Sequence, residues 1–73
     1  VDMMGRGRER LQAAEDAVEK LRGELLHVGV VLPSLGLDPV TAAGDAPYPL
    51  VELGRCNLDT AARLAAALEG ARR

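Results

Sequence analysis

The 73-residue chain has no phenylalanine and no tryptophan, and carries one tyrosine, Tyr48, one cysteine, Cys56, and one histidine, His27. Each scarcity excludes something. A lone cysteine forbids an internal disulfide. One histidine beside one cysteine leaves no His/Cys metal set within the chain, and no cofactor is expected. A core without large aromatics, built from Ala, Leu and Val, favours close helix packing over a roomy small-molecule pocket. No run of about 18 apolar residues exists, so no membrane span is expected. The first residues lack the long apolar core of a signal peptide. The formal net charge is −2, which gives no global basic field to hold a phosphate backbone. A free thiol fits a reducing compartment, and the cytoplasm is the expected location.

Size sharpens these exclusions. A domain this small buries only about 60% of the surface of its unfolded chain. Ordering costs roughly 1.5 kcal/mol per residue, so the balance lies near zero. Without a disulfide or a metal, the remaining aids are a second subunit or docking onto another protein.

The stretch with the strongest pattern runs from Arg8 to Val28. Its apolar residues are Leu11, Ala14, Val18, Leu21, Leu25 and Val28. They are spaced alternately by three and four positions, the a/d spacing of a two-helix seam. The residues between them are good helix formers. The spacing predicts a helix starting between Gly7 and Glu9 and stopping at Gly29, with Val30 folding back on Leu25. Asp16 with Lys20, and Glu19 with Arg22, stand at ion-pair spacings along it. Residues 1–7 read as a disordered lead-in, with Val1-Asp2 a cloning remnant, and residues 8–73 as one domain.

Beyond Gly29 the chain runs into Pro33. Leu35–Val40 shows a period-two pattern, and Leu50–Cys56 is a short apolar run after a turn-rich loop, Thr41–Pro49. Paired, they make an antiparallel hairpin that needs a surface to lie on. A last helix begins at Asn57, a favoured N-cap, and ends at Gly70. Its apolar stripe is Leu58, Ala61, Ala62, Leu64, Ala65 and Leu68.

The expected class is therefore mainly α (α+β): a long N-terminal helix, a short β-hairpin and a C-terminal helix. The first helix would span roughly 30 Å and the last roughly 18 Å, so the shorter cannot cover the longer. A second copy of the first helix is the simplest cover, which predicts a homodimer. Arg10 would then face Glu15 of a parallel partner.

Few residues suggest chemistry. The carboxylates Glu15, Asp16, Glu19 and Glu24 read as a solvated helix face rather than a catalytic set. Cys56 and His27 lie on different elements with no third orienting group, so Cys56 reads as a buried or half-buried structural thiol. The glycines match no phosphate-cradling spacing. Arg6, Arg8 and Arg10 read as a solvated tail, or as a basic arm for nucleic acid. Tyr48, between two prolines, is a candidate partner contact. Arg55 and Asn57, at a strand-to-helix junction, could receive a partner's carboxylate, or could be an exposed arginine beside a helix cap. Heavy use of Ala, Arg, Gly and Leu with almost no lysine resembles proteins of high-GC bacteria. The expected function is a non-enzymatic interaction module that binds itself and another protein. The alternative is a nucleic-acid-associated regulator using the basic arm.

Overall fold

The computed structural model describes residues 2–43 and 49–72, and for 2–7 the backbone alone. Its elements are α1 (Asp2–His27), β1 (Gly36–Leu37), α2 (Pro39–Ala43), β2 (Val51–Glu52) and α3 (Leu58–Ala71). The chain is mainly helical, with a two-stranded antiparallel sheet.

Helix α1 begins at Asp2, ahead of the start expected between Gly7 and Glu9. Gly5 and Gly7 each cost about 1 kcal/mol relative to alanine. Once a helix is nucleated, however, each further residue adds a hydrogen bond, and the intervening Met and Arg residues favour it. The backbone over 2–7 accordingly continues the helix.

The other end of α1 closes as the sequence predicts. The Gly29 N–H donates to the Leu26 carbonyl at 3.1 Å, and the Val30 N–H donates to the Leu25 carbonyl at 2.8 Å. Gly29 takes φ +75°, which completes a Schellman cap. Val30 folds back and joins Leu25 in the core. Val28 lies just past the last helical turn and is exposed.

A turn at Pro33-Ser34 follows, with the Leu35 N–H donating to the Leu32 carbonyl at 3.2 Å. It sends Leu35 into the core and starts β1. The sheet pairs Gly36 with Glu52 and Leu37 with Val51. The Asp38 N–H extends this pairing by donating to the Leu50 carbonyl at 2.9 Å.

The strands are much shorter than the expected Leu35–Val40 and Leu50–Cys56, and residues 39–43 are helical rather than strand and loop. The cause is local. Asp38 acts as an N-cap, its Oδ2 accepting from the Thr41 N–H at 3.1 Å, and Pro39 takes the first helical position, where its missing N–H costs nothing. The Thr41 hydroxyl donates to the Asp38 carbonyl and accepts from the Leu50 N–H at 2.9 Å. One threonine thus ties α2 to the start of the second strand segment.

Helix α3 starts as predicted. The Asn57 Oδ1 accepts from the Thr60 N–H at 2.8 Å, and Asp59 stands in the first turn. Gly70 does not end it. The helix runs through Ala71, with Arg72 as C-cap, because Gly70 keeps a helical backbone rather than the left-handed one that stops a helix.

The core is small. Val18, Leu25, Val30 and Leu35 are its buried members, and Leu21, Leu32, Leu37 and Leu64 pack partly buried against them. The Arg22 Nη2 donates to the Leu35 carbonyl at 2.8 Å, fixing the turn on α1. The molecule measures 45 × 24 × 16 Å, with a radius of gyration of 14.7 Å. A compact chain of this length would have a radius of gyration near ~11 Å. The long axis matches α1, whose 26 residues rise roughly 39 Å.

Candidate interaction surfaces

The seam of α1 divides into two parts. Val18 and Leu25 are buried in the chain's own core, and Leu21 is half-buried against it. Leu11 and Ala14, nearer the N-terminus, are half-buried. Val18, in the middle of the seam, is only 6% exposed. Val28 has left the helix and does not continue the seam. The ion pairs expected along α1 are replaced. Asp16 accepts from the Gln12 Nε2 at 2.9 Å rather than meeting Lys20, and Arg22 reaches the Leu35 carbonyl rather than Glu19.

Helix α3 also divides its apolar residues. Thr60, Leu64 and Ala67 are half-buried and mark the inward face, with Leu64 touching the core. Leu58, Ala61, Ala62, Ala65 and Leu68 are exposed. At 100° per residue they fall within an arc of about 120°, turned about 130° from the inward face. Leu58 is 89% exposed and Leu68 61% exposed, and no residue of α3 is buried. Arg63 bonds Asp59 at 2.9 Å on the side away from this stripe.

A third apolar surface lies at the C-terminal end of α1. A groove of about 210 Å³ is lined by Leu25, Leu26, Val30, Val31 and Pro33, with Arg22 beside them. Leu26 and Val31 stand exposed on it. Its volume falls below the ~300 Å³ at which small-molecule sites begin. It can hold a side chain or two rather than a metabolite.

Asn57 is engaged as the α3 cap, Arg55 is exposed beside it, and Tyr48 lies outside the described residues. Arg8 and Arg10 are exposed on α1, and the Arg6 side chain lies outside the described residues. Cys56 is exposed, not a buried structural thiol, because the 53–57 segment runs outside the core. His27 is exposed too, 3.8 Å from Glu24. Among the described residues no group of three or more His, Cys, Asp or Glu is placed to hold a metal ion, and no helix is long and apolar enough to cross a membrane.

Periodicity alone misses two features. The Arg22 contact depends on the path of a turn thirteen residues away, and nothing local signals it. The exposed stripe on α3 was visible only as part of a wider apolar band. No known protein family, curated protein or solved structure matches the chain.

Proposed function

We propose that this protein is a non-enzymatic interaction module that works as a homodimer and offers its remaining apolar surface to another protein. The observation that carries this reading is exposed apolar surface: among the described residues Leu26, Val31, Leu50, Leu53, Leu58 and Leu68 all stand exposed. Groups of this kind contribute about 1.5–3 kcal/mol each on burial, and with only Val18, Leu25, Val30 and Leu35 buried among the described residues that contribution is left unused.

Sedimentation equilibrium tests the reading directly. The expected result is a species of twice the 7.7 kDa chain mass that dissociates on dilution. A single species of 7.7 kDa at every concentration would sink it.

A further inference from the structure

We infer that the groove at the C-terminal end of α1 takes the last residue of a partner polypeptide, an aliphatic side chain in the slot and its free carboxylate on Arg22. This rests on the part of the reading that offers apolar surface to another protein, and it names that partner's chemistry.

The groove is made by the return of the chain along α1. The cap at Gly29 reverses the backbone, and the turn at Pro33-Ser34 brings Leu35 back against the helix. Leu25, Leu26, Val30, Val31 and Pro33 then stand around about 210 Å³. Leu26 and Val31 are 58% and 59% exposed, so the slot is aliphatic and open to water. Room for a side chain or two does not suit a strand or helix passing through, which presents several. It suits a chain end.

Charge selects the rest of the occupant. Arg22 is the one charged residue in the groove's lining, and no side chain there is an acceptor. The Arg22 Nη2 donates to the Leu35 carbonyl at 2.8 Å in a partly buried bond. That bond pins the guanidinium at the wall of the groove and uses one of its five N–H donors. The others bond to no described residue, and Glu19, one turn earlier on α1, makes no ion pair with it. A pinned planar donor beside an apolar slot matches a carboxylate, which accepts from it through two parallel bonds. A terminal aliphatic residue carries both groups on one Cα. An internal Asp or Glu beside a leucine does not, because neighbours point to opposite faces in a strand and do not share a face in a helix.

The probe is N-acetyl-leucine, a minimal chain end, titrated into the intact protein and followed by nitrogen-15 NMR. A ligand of about twelve non-hydrogen atoms is expected to bind with a Kd on the order of a millimolar. The shifts should gather at the Arg22 Nε–H and the amides of Leu26, Val31 and Leu35. N-acetyl-leucinamide lacks the carboxylate and acetate lacks the side chain, and each should bind about tenfold more weakly or worse. Val31→Asp alters an exposed side chain, so the fold is retained, as circular dichroism will verify. It sets a carboxylate at the slot and should weaken N-acetyl-leucine by about tenfold or more. Arg22→Lys keeps the charge without the fork and should bring N-acetyl-leucine to the level of the amide. The ligand comparison and Val31→Asp decide the matter even where Arg22→Lys fails to fold.

Leucinamide that binds as tightly overturns the role of Arg22, and acetate that binds as tightly overturns the role of the slot. Undiminished binding in Val31→Asp overturns the groove as the site. An absence of shifts well above millimolar concentration overturns the proposal as a whole. None of these outcomes alters the mass read by sedimentation, so the homodimer stands or falls separately.

Discussion

At the scale of single residues, the fold depends on two glycines for different reasons. Gly29 and Gly54 both take positive φ, +75° and +78°. Around Gly29 there is open space, so a methyl group there meets only the backbone cost of the left-handed region. Around Gly54 there is none: an added Cβ would stand 2.5 Å from the Ser34 Cβ and 3.2 Å from its carbonyl carbon. Gly54 is where the second strand segment passes over the Pro33-Ser34 turn. Gly29→Ala should therefore cost about 1–2 kcal/mol, the ordinary left-handed penalty. Gly54→Ala should cost more than that, because backbone must also shift. Urea denaturation of the two variants checks the order. Equal losses would mean that the turn at Ser34 yields easily.

At the scale of elements, caps decide where helices begin and end. Asn57 holds the start of α3 through a single side-chain bond, on a helix with little tertiary support. Asn57→Ala should lower stability by about 1 kcal/mol and reduce the helical circular dichroism, whereas Asn57→Asp keeps the acceptor and should be close to neutral. An alanine variant with unchanged helicity would mean that α3 is held by something other than its cap. The same element scale explains what was legible beforehand. The close of α1 could be read because Leu25, Gly29 and Val30 interact within six residues. The cap at Asn57 is equally local. Helix α2 was hidden because Leu35, Leu37 and Pro39-Val40 mimic strand alternation, although Asp38-Pro39 spells an N-cap followed by a favoured first position. The division of α3 could not be read at all. Leucine and alanine surround so much of that helix that periodicity does not say which side meets Leu25 and Leu35. The groove beside Arg22 was invisible for a related reason: it forms where the 30–35 segment returns along α1, a matter of chain path rather than spacing.

At the scale of the whole molecule, the question is how a chain with four buried side chains among its described residues stays folded. The conformational entropy of ordering is proportional to length, while the buried apolar residues described are few. If the missing burial comes from a second copy, folding and association are one equilibrium, and apparent stability must depend on concentration. For a dimer that unfolds to two separate chains, each tenfold dilution removes about 1.4 kcal/mol of stability. For a unit of this combined size, that shifts the melting temperature by roughly 3–6 °C. A monomer would melt at the same temperature at every dilution. Thermal denaturation across a tenfold dilution series separates the two.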